Sequence, residues 1–237
     1  MNIIVTGASK GVGYELVKSF SLTAGAKIIG IARNKQRLRD LEKECLELNS
    51  DSSVKVIPFD LGRFEGIREE LVPKIEAEFS HIDILINNAG FLINKPFYDI
   101  TPGDLDQAMK VNVQVPFHLI QGLLALLKKA ESSHVVNISS MGGIQGSVKF
   151  AGLAAYSASK GALGILTECL AEELRDTSVV FNCLALGAVQ TEMLEEAFPG
   201  YRAPVNAGEM AEFIREFALN AHRFMNGKII PVSLSTP

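Results

Sequence analysis

Short runs rich in Ile and Val alternate with longer amphipathic stretches along this chain, and the alternation restricts its fold more than any other sequence feature. The short runs predict strands, and the stretches between them have the apolar spacing of helices. The run Ile82-Asp83-Ile84-Leu85-Ile86 is almost continuously apolar, as expected for a parallel strand covered on both faces. We therefore predict a doubly wound α/β fold, in which a mostly parallel sheet of about seven strands has helices on both faces.

The predicted strands are 2–6, 27–32, 54–59, 82–87, 135–139, 179–184 and 228–232. The predicted helices are 11–24, 36–48, 63–79, 104–130, 156–175 and 208–220. No linker, low-complexity segment or repeat of solenoid length interrupts this pattern, so we expect one domain over residues 1–237. The polar, irregular stretch at about residues 187–206 is expected to be a substrate loop or lid. In such folds the ligand binds beyond the carboxyl ends of the strands, which is where we look for function.

Composition excludes several other classes of protein. Apolar residues make up 47% of the chain and the net charge is -4, which indicates a globular protein with no polyanionic partner such as nucleic acid. No apolar run approaches the roughly 20 residues of a membrane span, and the start of the chain does not resemble a signal peptide. Cys45, Cys169 and Cys183 are too few and too widely spaced for a disulfide framework or a metal site. We expect a cytoplasmic protein without a metal.

A glycine-rich turn follows the first predicted strand. In the segment Thr6-Gly7-Ala8-Ser9-Lys10-Gly11-Val12-Gly13, glycines stand at the junction between a strand and a helix. Glycine lets the backbone turn tightly and approach a phosphate, and the helix N-terminus offers unpaired N–H groups to the anion. The order strand, glycines, helix therefore predicts a pyrophosphate cradle, although the spacing differs from the usual dinucleotide pattern. A Walker-type loop is excluded because no Gly-Lys-Ser/Thr follows the glycines.

The end of the second strand predicts which nicotinamide cofactor binds. A carboxylate there would hold the ribose hydroxyls of NAD(H), but Ala32 occupies that position and Arg33 follows it. Arg33 can make charge-assisted, bidentate hydrogen bonds to a phosphate, and Lys10 is placed to add a second cation. The alternative is a pair of solvated surface charges. We predict that NADP(H) is preferred over NAD(H).

A set of polar residues suited to carbonyl chemistry lies in the second half of the chain. Tyr156 and Lys160 are four residues apart in a predicted helix and so share one face. A nearby ammonium stabilises a phenolate, which predicts a lowered pKa for Tyr156. Ser140 can donate a hydrogen bond to a carbonyl oxygen on which negative charge develops. Ser139 is the alternative for this role.

These motifs, together with Asn88-Ala89-Gly90 and Asn112, resemble the short-chain dehydrogenase/reductase family in its compact form, from Asn2 to about Thr191. The resemblance implies a Rossmann-type fold and an NADPH-dependent reduction of a small ketone or aldehyde. It implies that Tyr156 is the general acid, that Lys160 holds the nicotinamide ribose, and that Asn112 anchors a water linked to Lys160. The catalytic set would be Asn112, Ser140, Tyr156 and Lys160. The expected cofactor contacts are Gly7, Ser9, Lys10, Gly11, Val12, Gly13, Arg33, Asp60, Leu61, Asn88, Ala89, Gly90, Tyr156, Lys160, Gly187, Val189 and Thr191.

The sequence departs from the family pattern at three places. Ser140 and Tyr156 are sixteen residues apart, slightly more than usual, so the intervening loop is expected to shape substrate selection. Leu186 stands where the family usually has proline, which predicts a looser turn before Gly187. Residues 192–198 predict either a helical lid or an amphipathic surface helix.

Two further interpretations remain open beside the reductase. One is a regulatory protein that binds NADPH as a sensor without turnover, although such a protein has no need of all four catalytic residues. The other is a nucleotide-sugar epimerase or dehydratase, which usually has a longer chain. The resemblance also implies a homodimer or homotetramer formed by helices 104–130 and 156–175. These two helices carry more apolar residues than one buried face of each requires, namely Leu123, Leu124, Leu126, Leu163, Leu166 and Leu170. Substrate, stereochemistry and direction are not determined at this level.

Overall fold

Seven parallel strands form the central sheet of the computed structural model, which describes residues 1–234. The last three residues of the predicted domain, 235–237, lie outside the described residues. The strands are β1 (Asn2–Thr6), β2 (Lys27–Ala32), β3 (Ser53–Pro58), β4 (Ile84–Asn87), β5 (Ser133–Ser140), β6 (Val179–Leu186) and β9 (Lys228–Val232). A separate short pair joins β7 (Val189–Gln190) to β8 (Val205–Asn206).

Seven helices connect these strands within residues 1–234. They are α1 (Gly11–Ser21), α2 (Lys35–Leu48), α3 (residues 64–76), α4 (residues 102–127), α5 (Ala154–Glu173), α6 (Glu192–Ala197) and α7 (Ala207–Asn220). The strand order β3-β2-β1-β4-β5-β6-β9 reverses direction between β1 and β4. This order confirms the doubly wound Rossmann-type fold, and it places the ligand crevice at the carboxyl ends of β1 and β4.

The sheet is covered on both faces because successive side chains of a strand point in opposite directions. Ile3 and Val5 of β1 pack with α1, α2 and α7 in one core. Ile4, between them, packs with α3, α4 and α5 in a second core. All three residues are fully buried. The near-continuous apolar character of the strands is therefore a direct consequence of two helix layers.

Two of the helices contain a π turn, and in each of them a proline lies two residues after its end. In α3 the turn Ile67–Leu71 precedes Pro73, and in α4 the turn Lys110–Gln114 precedes Pro116. Proline has no N–H to donate to the carbonyl four residues earlier, so the hydrogen-bond ladder shifts its register there. The sequence predicted two regular helices, because the spacing of apolar residues does not reveal this shift in hydrogen-bond register.

Side chains that cap a helix account for some of the differences between the predicted element boundaries and the structure. Asn34 accepts a hydrogen bond from the Arg37 N–H at 3.0 Å, so α2 begins at Lys35, one residue before the prediction. Thr101 and Asp104 form a reciprocal capping box, and α4 therefore begins at Pro102. Asn206 and Glu209 do the same for α7.

The segment predicted as irregular contains regular elements. Within residues 187–206 lie β7, the six-residue helix α6 and β8. The turn before this segment is also more regularly hydrogen-bonded than the looser turn that was predicted. Leu186 continues β6 in register with Val232, and the Gly187 N–H donates to the Val232 carbonyl at 2.8 Å. Leu186 has a backbone N–H, which the proline usual in the family would lack, and a strand residue with an N–H is compatible with this longer strand. Among residues 1–234 no helix is long and apolar enough to cross a membrane.

Candidate active site

A cleft of about 1270 Å³ lies at the carboxyl ends of the strands, at the point where the strand order reverses. The glycine turn after β1 and the residues after β2 and β3 line one end of it. The end of β5 and the first turn of α5 line the other end, and α6 lies across its mouth. All the predicted site residues line this cleft except Gly13 and Asn112.

The glycine turn forms a cradle at the N-terminus of α1. Gly7 and Gly11 have φ angles of +70° and +57°, a region that side chains with a Cβ rarely adopt. Gly13 lies beneath the turn, where a Cβ would come 2.5 Å from the carbonyl oxygen of Gly7. Lys10 is the N-cap residue of α1, and its side chain makes no capping hydrogen bond. The first N–H groups of α1 thus point toward the cleft without a side-chain cap, as an anion site requires.

The chain after β4 braces the cradle. The Thr6 hydroxyl donates to the Ile86 carbonyl at 3.2 Å and accepts from the N–H groups of Asn88 and Ala89, each at 3.0 Å. The Asn88 side-chain amide donates back to the Thr6 carbonyl at 3.0 Å. A Cβ on Gly7 would lie 2.9 Å from the Cα of Ala89. The Asn88-Ala89-Gly90 segment therefore contacts the glycine turn directly and stabilises its conformation.

Three cations line the cleft next to the cradle. Arg33 follows β2, is exposed, and makes no ion pair within residues 1–234. Lys10 Nζ lies 3.6 Å from Glu196, and Arg37 Nη1 lies 3.4 Å from Glu192. The glycine cradle and these cations together fit a dinucleotide that carries an additional phosphate. Sequence reasoning missed Arg37, although Asn34 as N-cap places it in the first turn of α2.

Two of the expected cofactor contacts line the cleft directly after β3. Asp60 and Leu61 follow β3, and the Asp60 carboxylate accepts a hydrogen bond from the Gly62 N–H at 3.0 Å. Leu61 is buried. Gly187, Val189 and Thr191 also line the cleft, and Thr191 lies against the cradle, where a Cβ on Gly11 would come 3.2 Å from its Cγ2. A Cβ on Gly187 would lie 2.6 Å from the Ser233 hydroxyl, so no larger residue fits there without a shift.

Ser140 and Tyr156 meet at the end of the cleft opposite the cations. Ser140 ends β5, where its hydroxyl accepts from the Gly142 N–H at 3.3 Å. Ser139 takes a different role, because its buried hydroxyl donates to the Lys160 carbonyl at 2.8 Å. Burial raises the pKa of Tyr156, and the neighbouring Ser140 hydroxyl works in the opposite direction. The raised pKa differs from the lowered pKa that the spacing of Tyr156 and Lys160 predicted.

Lys160 lies one helical turn after Tyr156 and is almost entirely buried. Its Nζ donates to the Ile138 carbonyl at 2.8 Å and lies 5.9 Å from the centre of the Tyr156 ring. Burial lowers the pKa of Lys160 to about 8, because the charged form loses hydration. In the free protein the ammonium donates to a strand carbonyl and lies beside the Tyr156 ring, and burial is the main cause of the raised pKa of Tyr156.

Asn112 lies in the π turn of α4 and is fully buried. Its side-chain oxygen accepts from the Phe91 N–H at 2.8 Å, and its amide donates to the Phe91 carbonyl at 2.8 Å and to the Ser159 hydroxyl at 2.9 Å. Asn112 thereby ties the loop after β4 to α5. Sequence reasoning did not identify Ser159 as its partner. Within the described residues, no group of three or more His, Cys, Asp or Glu side chains is arranged to hold a metal ion.

Three segments meet above the Tyr156 end of the cleft. The Lys95 N–H donates to the Gly152 carbonyl at 2.9 Å, which joins the loop after β4 to the loop before α5. The Asn94 amide donates to the Ala197 carbonyl at 2.8 Å, which joins the same loop to α6. Gly152 has φ +85°, and a Cβ there would collide with the Asn94 side chain. These long-range contacts carry no sequence signal that local patterns could reveal.

Comparison with known proteins agrees with this geometry. The chain matches the family model described as short chain dehydrogenase over residues 1–202. An uncharacterised oxidoreductase from Staphylococcus epidermidis is 32% identical over 211 residues, which cover 89% of this chain and 87% of the relative. A short chain dehydrogenase from Escherichia coli CFT073, crystallised with NADPH, has a TM-score of 0.88 and 28% identity, covering 97% of this chain and 95% of its own. RhlG from Pseudomonas aeruginosa, in an active-site complex with NADP, has a TM-score of 0.85 and 28% identity, covering 98% and 94%.

Proposed function

Because the chain belongs to the short-chain dehydrogenase family, we propose that it is an NADPH-dependent oxidoreductase that reduces a small ketone or aldehyde to an alcohol. The observation that carries the proposal is the arrangement of the cleft. Ser140 and Tyr156 stand at one end, and Arg33, Lys10 and the glycine cradle stand at the other. A single dinucleotide can therefore reach both its phosphate ligands and the two hydroxyls.

NADP(H) rather than NAD(H) is the proposed cofactor, and it would supply the hydride that reaches the carbonyl carbon. Arg33 offers a planar, bidentate donor to the additional phosphate, and Ala32 leaves no carboxylate at the end of β2 to repel it. The relatives crystallised with NADPH and NADP support this choice. The residues proposed to contact the cofactor are those predicted from the sequence, with Gly13 acting beneath the cradle.

Tyr156 is the proposed general acid. Its raised pKa keeps the phenol protonated at neutral pH, which is the form that can protonate the carbonyl oxygen. Ser140 donates a hydrogen bond to the same oxygen while negative charge develops on it. The Lys160 ammonium then stabilises the tyrosinate that proton transfer leaves, and we propose that it also holds the nicotinamide ribose. Asn112 fixes the loop and the helix between which a water linked to Lys160 would lie.

NADPH consumption against a panel of ketones, diketones, aldehydes, acyl thioesters and pterins tests the function. We expect Tyr156→Phe to lower kcat by about a hundredfold or more while NADPH binding, measured by fluorescence titration, stays the same. Tyr98→Phe is the matched control, because Tyr98 is 85% exposed and lies outside the cleft. NADPH binding without turnover of any compound would favour the sensor interpretation instead.

We also propose a homodimer or homotetramer that forms through α4 and α5. Three of the six leucines that suggested this from the sequence, Leu123, Leu126 and Leu163, are buried in the subunit's own core and cannot form the contact. Phe117 on α4 and Ile165 on α5, with exposed fractions of 43% and 59%, offer the apolar surface instead. Sedimentation of a monomer at micromolar concentration would contradict the proposal. The three cysteines are free thiols, which is compatible with the cytoplasmic location that we propose.

A further inference from the structure

The charged side chains of the cleft are concentrated at its cofactor end. Arg33 stands beside the glycine cradle, and Lys10 and Arg37 are paired with carboxylates of α6. Asp60 and Lys110 both border Gly62, where a Cβ would lie 3.3 Å from the Asp60 carboxylate and 3.2 Å from the Lys110 Cε. None of these seven groups belongs to β5, α5 or the loop between them, the elements that carry Ser140 and Tyr156.

Apolar residues of the cleft adjoin these two positions in the chain or belong to the loop after β4. Met141 follows Ser140 directly, and Leu153 lies at the end of the loop that leads into Tyr156. Phe91 follows Gly90 and is held in place by Asn112. All three line the cleft, and Met141 and Leu153 are buried.

Three aromatic rings belong to the elements that close over this end. Phe198 follows α6, whose last residue accepts the hydrogen bond from Asn94. Phe150 and Tyr201 line the cleft with exposed fractions of 50% each, so each ring has one side open to a ligand. Rings at a pocket rim favour flat or branched apolar groups, which they can cover without leaving a polar atom unpaired.

Among the described residues that line the cleft, Lys160 is the cation beside Tyr156, and it is already engaged. Its Nζ is buried and bonded to the Ile138 carbonyl, beneath the hydroxyls rather than in the outer part of the pocket. A carboxylate or phosphate carried by the substrate would therefore lose its hydration at this end without gaining a partner.

We propose that the substrate is a neutral carbonyl compound whose carbonyl carbon bears an aromatic or branched apolar group, and that carbonyl compounds bearing a carboxylate or phosphate are excluded. The proposal rests on the reductase function proposed above. In it, Ser140 and Tyr156 receive the carbonyl oxygen, and the apolar side chains receive the substituent.

The test compares benzaldehyde with 4-carboxybenzaldehyde, which present the same reacting group with and without an anion. We expect kcat/KM with NADPH to be at least about tenfold higher for benzaldehyde. The carboxylate would lose its hydration in the pocket at a cost in free energy, whereas the neutral ring would not. Equal values, or a preference for the carboxylate, would overturn the proposal.

A charge introduced at the rim should reverse this selectivity. In Phe150→Arg the guanidinium replaces an exposed ring of the cleft, and we expect the ratio of the two kcat/KM values to shift toward 4-carboxybenzaldehyde by about tenfold. Val148→Arg is the matched control, since Val148 is 48% exposed in the same loop and does not line the cleft. The same shift in both variants would mean that general electrostatic attraction, and not the rim position, determines selectivity.

A binding measurement separates this proposal from the reductase function. Ligand-observed NMR on the NADPH-loaded Tyr156→Phe variant detects the two aldehydes without turnover. Binding of benzaldehyde but not of 4-carboxybenzaldehyde supports the proposed substrate class even if the wild-type protein reduces neither compound, a result that would count against the reductase. Binding of the carboxylate, or of neither compound, contradicts the substrate class.

Discussion

Arg37 of α2 and Glu192 of α6 meet across the mouth of the cleft, with Nη1 of the arginine 3.4 Å from Oε1 of the glutamate. Lys10 and Glu196 form a second bridge between the cradle and α6 at 3.6 Å. A Cβ on Gly11 would lie 3.7 Å from Oε2 of Glu192, so this carboxylate sits over the cradle itself. In the free protein, two acidic side chains thus pair with cations that would otherwise be available to a phosphate.

Removal of these carboxylates should strengthen NADPH binding. In Glu192→Gln/Glu196→Gln the two cations lose their present partners, and we expect the Kd for NADPH to fall by about threefold to tenfold, since exposed ion pairs contribute up to about 1 kcal/mol each. Fluorescence titration at low ionic strength measures this. Glu195→Gln is the control, because Glu195 accepts from the Gln190 amide and touches neither cation. Weaker binding by the double variant would show that the carboxylates assist the cofactor.

Arg33 should determine the choice between the two cofactors. Replacement by alanine removes a charge-assisted contact, so we expect the ratio of NADPH to NADH affinity to fall by about tenfold to a hundredfold. The affinity for NADH itself should change little. Titration of both cofactors against Arg39→Ala, an exposed arginine of α2 outside the cleft, provides the comparison. An unchanged ratio would mean that Arg33 is an ordinary surface charge.

Gly13 should tolerate no side chain even though it does not line the cleft. Its Cβ would lie 2.5 Å from the Gly7 carbonyl oxygen, and separating α1 from the cradle would deform the anion site. We expect Gly13→Ala to lower the free energy of unfolding by about 1–3 kcal/mol and to weaken NADPH binding strongly. Gly103→Ala is the control, because its Cβ would meet no atom closer than 3.9 Å. That variant should be neutral or slightly more stable, as urea unfolding can show.

His134 should make the protein less stable in mild acid. The buried ring contacts the Ala218 carbonyl at 2.9 Å through Nδ1, and the Asn182 amide donates to Nε2 at 3.0 Å, an arrangement that requires the neutral ring. Burial lowers the pKa of His134 to about 4, and burial also lowers that of His222, whose ring centre is 5.5 Å away.

The sign of the pH effect follows from which state binds the proton. Below pH 6.5 the unfolded chain protonates this histidine while the folded chain does not, so stability falls as pH drops toward 4, by about 3 kcal/mol in total. Urea unfolding at several pH values should show this loss in the wild-type protein and a smaller loss in His134→Gln. His118→Gln, on α4, serves as the control. Equal pH dependence in all three proteins would contradict the assignment.

The glycine turn illustrates what local sequence could predict. Strand, glycines and helix follow one another within a few residues, and the conformations that they require are backbone properties of those residues alone. Tyr156 and Lys160 likewise lie on one helical turn, so their proximity followed from helix geometry. The pKa direction of Tyr156 did not follow, because it depends on burial in the folded chain, which outweighs the opposing effect of the Ser140 hydroxyl.

The sequence by itself determined the doubly wound sheet, the position of the cradle and the family, because periodicity and motif order are encoded by residues close together in the chain. The tertiary structure decided which distant residues meet. Arg37 and Glu192 are 155 positions apart, and Asn94 and Ala197 are 103 apart. Such pairs form only after the parallel crossovers bring the carboxyl ends of all the strands to one edge of the sheet. The charge balance over the cradle and the apolar lining of the pocket are therefore properties of the folded chain.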